Sequence, residues 1–198
     1  MKKLDTRLLD EALNLLAELT SDHPEQHWVV CGGSSLLALG LVSRDKTRDV
    51  DVLARVGLDG LLSAKPLPDW LTRAADAIGK QFGLMENWFN PAPSDELYFR
   101  FGFPEGMVER LSPRIYGPDR NLCISFISRY DQIFFKLHAF ADSEKGRHYE
   151  DLIDLQPTAD ELLAAARWIL KQDSSDGFLF LLGNAFKELG HETLIEQL

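Results

Sequence analysis

The chain has 198 residues, of which 45% are hydrophobic and 26% charged, the ordinary balance of a soluble globular protein. This length suffices for one domain with a substantial core, or for a domain with a small helical appendage. The formal net charge of −10 weighs against broad, non-specific binding of nucleic acid. No apolar segment is long enough to cross a bilayer as a helix, and the charged N-terminal residues do not resemble a signal peptide. We therefore expect a cytoplasmic protein with no membrane partner.

The first half of the chain predicts a helix followed by strands and helices in alternation. Leucines and alanines recur at helical spacing from Leu4 to Leu19, and Asp22-His23-Pro24 ends this pattern. The sequence then predicts a strand at 28–31, a helix at about 34–41, a strand at 49–54, a loop or irregular crossing at 57–68, and a helix at about 70–81.

The second half changes from β-like to helical near Tyr130. Apolar runs between turns predict three strands, at Leu97–Phe103, Met107–Leu111 and Leu122–Ile127. The helices that follow are predicted at about 131–140, 146–154 and 159–172, with further helix signals broken at Gly183 and Gly190. Thr158 and Glu161 form a capping-box pattern. We expect an α/β (α+β) fold: a mixed-sheet core over 1–130, and a C-terminal helical region over 131–198 packed on it.

The segment Gly32-Gly33-Ser34 is typical of a phosphate-binding turn. It follows the apolar run from Trp28 to Cys31 and leads directly into a predicted helix. Glycines let the backbone approach a phosphate closely, and the start of a helix presents free N–H groups. We expect the Ser34 hydroxyl to donate to a phosphate; a simple tight turn is the alternative.

Two carboxylates follow on the next predicted strand. Asp49 and Asp51 are two residues apart, so both side chains project from one face of the strand. Neighbouring carboxylates repel each other unless a cation neutralises them, which predicts a Mg²⁺ or Mn²⁺ site. Arg48 and the nearby Arg44 and Lys46 form a basic loop beside this site, which suits a triphosphate tail or an RNA end; a solvated loop is the alternative.

A lysine and an aspartate in the helical region are further candidates. Lys136 stands in an apolar run, where a charge is costly unless it reaches solvent or meets an anion. It therefore predicts a contact with a nucleotide phosphate or with Asp151, which shares a helical face with Asp154. Asp151 would orient Lys136 or Arg147. Arg147 and its neighbour His148 are weaker candidates for phosphate contact.

Taken together, these residues resemble the nucleotidyltransferase superfamily founded on DNA polymerase beta. Within it, the chain is similar to small bacterial nucleotidyltransferase-like proteins of unknown function that are related to abortive-infection toxins. The resemblance rests on Gly-Gly-Ser, Arg-x-Lys-Thr-Arg and Asp-Val-Asp-Val, and on three later segments. Together these matches are spread over roughly residues 28–165. Those later segments are Glu86-Asn87-Trp88-Phe89-Asn90, Phe135-Lys136-Leu137-His138-Ala139, and Gly146-Arg147-His148 with Asp151-Leu152-Ile153-Asp154-Leu155.

The resemblance implies a Mg²⁺-dependent nucleotidyltransferase that moves a nucleoside monophosphate from an NTP to an acceptor hydroxyl. The acceptor would be a tRNA, a protein or a small molecule, and an antitoxin partner is also implied. The superfamily usually has a third carboxylate on a later strand, for which Glu109 is the first candidate and Glu96 the second. Without it, a catalytically inactive nucleotide-binding or partner-binding module on the same fold becomes the better interpretation.

Overall fold

The polypeptide begins with a helix that covers one face of the sheet. The computed structural model describes residues 1–143 and 146–198. Helix α1 (Thr6–Leu19) starts at Asp5, whose carboxylate accepts a hydrogen bond from the Leu8 amide at 2.8 Å. Its apolar side chains are buried against the first strands and helix α3 (Asp69–Phe82). The helices predicted at the start of the chain and at 70–81 are both confirmed.

A mixed sheet of six strands forms the centre of the fold and confirms the α/β class. Four strands and one short helix build its core. They are β1 (Gln26–Cys31), α2 (Gly32–Ala38), β2 (Val50–Gly57), β3 (Gly60–Leu62) and β6 (Leu122–Phe126). Strand β1 pairs antiparallel with β2 and parallel with β6. Strand β5 (Ser112–Tyr116) forms the far edge, and the short β4 (Phe89–Asn90) pairs with β2. The carboxylate-bearing strand is therefore flanked by β1, β3 and β4.

Three predictions for the middle of the chain are wrong. The expected strand at Leu97–Phe103 is helix α4 (Glu96–Phe101), whose Tyr98 ring stacks on Trp168 with centroids 5.7 Å apart. The expected strand at Met107–Leu111 is a 3-10 turn at Val108–Arg110. The region 57–68, expected to lack regular structure, contains strand β3, which forms a hairpin with β2. Apolar content alone is compatible with more than one structure, and for α4 the packing of Tyr98 on the distant Trp168 favours the helix.

Four helices complete the chain and surround a second cluster of buried apolar side chains. They are α5 (Arg129–Ala141), α6 (Arg147–Leu155), α7 (Ala159–Leu170) and α8 (Asp176–Glu188). Thr158 and Glu161 form the predicted capping box at the start of α7. Helix α8 runs through Gly183 without interruption, contrary to the prediction, and a 3-10 helix (Glu192–Gln197) follows it. Within the described residues, none of the helices has the length and apolarity to cross a membrane.

Candidate nucleotide and metal site

The two predicted metal-binding carboxylates lie together at one end of β2. Asp49 immediately precedes the strand, and Asp51 lies opposite Cys31 of β1 on one side and Asn90 of β4 on the other. The Asn90 side-chain amide donates a hydrogen bond to Asp51 Oδ1 at 3.4 Å. Gly32 has a φ of +66°, and a Cβ at this position would collide with Asp51 Oδ2. The absent side chain therefore makes room for the carboxylate.

The surroundings of Asp51 favour a cation. Burial and the neighbouring charge of Asp49 raise the pKa of Asp51 to about 6. The Asn90 hydrogen bond and the positive charges of Lys136 and Arg147 act in the opposite direction and do not cancel the rise. A carboxylate whose ionisation is costly binds a divalent cation readily, because the cation replaces the lost solvation.

A buried group of charges lies beside the carboxylates. Lys136 is only 6% exposed, and its Nζ atom lies 2.8 Å from Asp151 Oδ2. The Arg44 guanidinium pairs with the other oxygen of the same carboxylate, so two cations share one anion. Although burial opposes ionisation, hydrogen bonding from Arg44 and the charge of Lys136 hold the pKa of Asp151 below its ordinary value. The predicted pairing of Lys136 with Asp151 is present, and the group has an excess of one positive charge.

A second aspartate of helix α6 forms hydrogen bonds with Ser43, the residue before the basic loop. Asp154, one turn after Asp151, accepts hydrogen bonds from the Ser43 amide and hydroxyl, both at 2.9 Å. The two aspartates therefore share a helical face, as their spacing predicts. This contact holds Arg44 at the edge of the site.

Several polar atoms of the site lack hydrogen-bond partners. Within the described residues these include Nε and Nη2 of Arg44 and the Thr47 hydroxyl, all of them buried. A Cβ at Gly33 would lie 2.5 Å from Thr47 Oγ1 and 3.3 Å from Arg44 Nη2, so the glycine leaves space for these donors. His148 Nδ1 and Gln132 Oε1 are also unpartnered there. Buried donors without acceptors are costly, so the donors of Arg44 and Thr47 suit an anion, whereas the Gln132 oxygen is an acceptor and does not.

Ser34 occupies a different position from the one its motif suggested. Its side chain is fully buried, and its hydroxyl donates to the Cys31 carbonyl oxygen at 3.3 Å. The next residue, Ser35, donates to the Ile127 carbonyl oxygen at 3.1 Å. These hydroxyls hold α2 onto the strands, and the hydroxyl beside the glycines that lacks a partner is that of Thr47.

The remaining predicted residues lie at the periphery or away from the site. Arg48 is exposed between Thr47 and Asp49, and Arg147 is exposed at the start of α6. Glu109 is exposed in the 3-10 turn before β5, and β1 and β6 separate that strand from β2. The structure therefore does not bring Glu109 to the paired aspartates. Among the described residues, no three His, Cys, Asp or Glu side chains form a group able to hold a metal.

Comparison with known protein families, curated proteins and solved structures finds no match.

The donor set at β2 nevertheless fits a divalent cation that prefers oxygen ligands. Asp49 and Asp51 offer only oxygen ligands, and they are two rather than three carboxylates. Mg²⁺ binds in this way, through one or two carboxylates, several waters and the phosphates of a substrate. Mn²⁺ accepts the same oxygen ligands. The residues thus fit a cation that a nucleotide helps to hold.

Sequence reasoning missed three contributors to this site. Thr47 was part of the Arg-x-Lys-Thr-Arg pattern, but nothing in that pattern indicated that its hydroxyl would be buried beside Gly33. In the sequence, Arg44 is recognisable only as part of a basic loop, and its contact with Asp151 is not. Asn90 is recognisable only as the last residue of the segment Glu86–Asn90, because its contact with Asp51 depends on the parallel pairing of β4 with β2.

Proposed function

We propose that this protein binds a nucleoside triphosphate with Mg²⁺ and transfers the nucleoside monophosphate to an acceptor hydroxyl. The observation that carries the proposal is the juxtaposition of two oppositely charged halves in one site. Asp49 and Asp51 suit a cation, and the unpartnered donors of Arg44 and Thr47, with Lys136 nearby, suit phosphate oxygens. Nucleotidyl transfer needs both halves, because it positions a charged triphosphate against a nucleophile.

The chain's own residues would act by positioning. Arg44, Thr47 and Lys136 bind the phosphates and hold the bond to be broken in place, while Asp49 and Asp51 fix the cation. When bound, Mg²⁺ supplies charge neutralisation on the phosphate oxygens. In the reaction the acceptor oxygen bonds to the α-phosphorus, the bond from that phosphorus to pyrophosphate breaks, and the acceptor proton passes to water.

An acidic cleft beside the aspartates suggests where the acceptor lies. Its volume is about 740 Å³, and Asp49 and Asn90 are on its wall. Asp69 and Glu86 add two more acidic side chains, and Phe89 contributes an apolar surface. With Asp49 holding the cation, the cleft retains the carboxylates of Asp69 and Glu86 against one lysine, Lys65. This remaining negative charge disfavours a nucleic-acid end, so a protein or a small hydroxylated amine fits the cleft better than RNA does.

The test is transfer of label from an α-labelled NTP. Purified protein is incubated with each NTP, with Mg²⁺ or Mn²⁺, and with cellular protein, RNA or hydroxylated amines. We expect transfer by the wild type and none by Asp51→Asn. Asp59→Asn, at the exposed tip of the β2–β3 turn, is the matched control and should retain transfer. Equal transfer by both variants would overturn the assignment of Asp51.

The second candidate function is nucleotide binding without turnover. It is favoured by one observation: within the described residues the neighbour of Asp51 on β4 is an amide, Asn90, and no third acid joins the pair. In that case calorimetry would show Mg²⁺-dependent NTP binding that Asp51→Asn abolishes, with no product from any acceptor. Absence of binding in the wild type would exclude both functions.

A further inference from the structure

Helix α8 exposes an apolar surface far along the chain from the nucleotide site. Phe180 is 69% exposed, and Leu179 is 36% exposed. Both line a groove of about 460 Å³ between α8 and the final 3-10 helix, with Ile195 on its far wall. The opposite face of α8 is buried against the helical core through Phe178, Leu182 and Phe186. The exposed surface is therefore not required for the packing of α8 itself.

The exposed residues of α8 follow the spacing of a helix-pairing seam. Asp176, Phe180, Gly183 and Lys187 are separated by four, three and four residues, which places them on one stripe. All four line the same groove. The stripe carries an acid at its start, a base at its end, and a large and a small residue between them.

This order of residues is self-complementary when two copies run antiparallel. With a two-fold axis between Leu181 and Leu182, Asp176 of one copy lies opposite Lys187 of the other, and each Phe180 lies opposite a Gly183. A two-fold interface requires this reciprocity, in which residue i meets j and j meets i. A parallel arrangement would instead place like charges together, which costs free energy.

Gly183 provides a recess on the stripe. A Cβ at this position would meet only Ile195 side-chain atoms, at 3.6 and 3.7 Å, which are ordinary contact distances. The fold of one copy therefore does not require glycine here. The absent side chain lets a second helix approach closely at this point, so that its Phe180 can pack over Gly183 and against Ile195.

We infer that α8 is a self-association surface, on which two copies of the protein pair antiparallel through Asp176, Phe180, Gly183 and Lys187. One pair of helices buries less surface than the 1,200–2,000 Å² that is typical of stable interfaces. The dimer is accordingly weak and forms in a concentration-dependent way. The inference is independent of the proposed nucleotidyltransferase activity, because none of these residues belongs to the nucleotide site.

The test is sedimentation velocity of the full chain from roughly 1 to several hundred μM. We expect the wild type to shift from monomer to dimer across this range. Phe180→Glu should weaken association by roughly tenfold or more, because it removes the ring and places a charge in the seam. Leu58→Glu, at a fully exposed leucine on the β2–β3 turn, is the matched control and should associate as the wild type does. Circular dichroism verifies that both variants are folded.

A charge swap tests the antiparallel arrangement. Lys187→Glu should weaken the dimer, and adding Asp176→Lys to it should restore association to near the wild-type level. In a parallel pair each residue would face the same residue of the other copy, so the double variant would still place like charges together and regain nothing. Three results would overturn the inference: a wild type that stays monomeric throughout, equal effects of Phe180→Glu and Leu58→Glu, or no rescue by the double variant.

Discussion

Asp131 and Asp151 are both fully buried aspartates paired with an arginine, but the two pairs differ in how completely their hydrogen bonds are made. Asp131 accepts from Arg110 Nη2 at 2.5 Å and from the Ser128 hydroxyl at 2.6 Å. Arg110 also donates to the Glu105 carbonyl oxygen at 2.7 Å. Asp151 likewise has two partners, yet its arginine, Arg44, keeps Nε and Nη2 buried and unpartnered.

The comparison separates an ion pair whose hydrogen bonds are complete from one whose arginine retains unpartnered donors, as the proposed phosphate site requires. A fully hydrogen-bonded charge network contributes to stability, whereas an incomplete one is destabilising until something completes it. The hydrogen bonds to Asp131 raise the pKa of Arg110, as expected for a pair that is complete. The free donors of Arg44 point to a missing acceptor, and a phosphate is the acceptor whose geometry matches a guanidinium.

The largest expected effect on stability is that of Arg110→Met. Removing this partner leaves Asp131 as a buried, poorly compensated charge, and we expect the free energy of unfolding to fall by about 3 kcal/mol. Urea unfolding measures the change. Nucleotide affinity of the folded variant should stay within about twofold of the wild type; a selective loss of binding would contradict the structural role of this pair.

Arg44→Met should show the opposite behaviour. Charge-assisted hydrogen bonds contribute about 1.5–3 kcal/mol, so NTP affinity should fall roughly 10- to 100-fold. The free energy of unfolding should change by only about 1 kcal/mol, because Lys136 still pairs with Asp151. Calorimetry and urea unfolding give the two values. Arg55→Met, an exposed arginine on β2, is the control and should alter neither.

Gly32→Ala and Gly40→Ala form a matched pair for the close approach to Asp51. Both glycines have a φ of +66°, so backbone strain should cost each alanine variant about 1 kcal/mol of stability, and the collision with Asp51 should add to this cost in Gly32→Ala. Only at Gly32 would the new methyl group collide with a carboxylate; nothing lies within 4 Å of a Cβ at Gly40. Calorimetric titration should therefore show that Mg²⁺-dependent NTP binding is lost in Gly32→Ala alone. Equal binding by the two variants would contradict the assigned role of Gly32.

The smallest effect concerns the pH dependence of stability without metal. Because the pKa of Asp51 is raised to about 6 in the folded state, the folded protein binds more protons than the unfolded chain between about pH 4 and pH 6. Its contribution to stability is therefore present at low pH and is lost as pH rises through about 6. Asp51→Asn should be more stable than the wild type at pH 7 by about 1 kcal/mol, a value reduced for partial solvent exposure. Thermal unfolding at several pH values tests this, and a variant less stable than the wild type would contradict it.

Local patterns predicted the parts of the fold that depend on neighbouring residues. The β1–turn–α2 unit, the spacing of Asp49 and Asp51 and the capping box at Thr158 follow from periodicity and short-range hydrogen bonding. The apolar segment that contains Tyr98 and Phe101 is compatible with a strand or a helix, and the stacking of Tyr98 on Trp168 favours the helix. Strand β5 begins with Ser112 and Pro113, and proline is tolerated there because β5 is an edge strand.

Only the part of the candidate site that is continuous in sequence could be predicted. The glycines and aspartates lie within one continuous segment, so their spacing indicated a shared function. Arg44 and Asp151 are 107 residues apart, and their contact depends on how α6 docks onto the loop before β2. The contact between Asn90 and Asp51 depends equally on sheet register. No local pattern contains that information.

The separation of Arg44 from Asp151 also has a consequence for the order of folding during synthesis. The glycines, Arg44 and both candidate metal-binding aspartates leave the ribosome about a hundred residues before α6 does. Contacts between distant segments form late, because they first require closure of a long loop. Asp151 can therefore join Arg44 and Lys136 only once α6 has docked, so the candidate nucleotide site cannot be complete until more than three quarters of the chain has been synthesised.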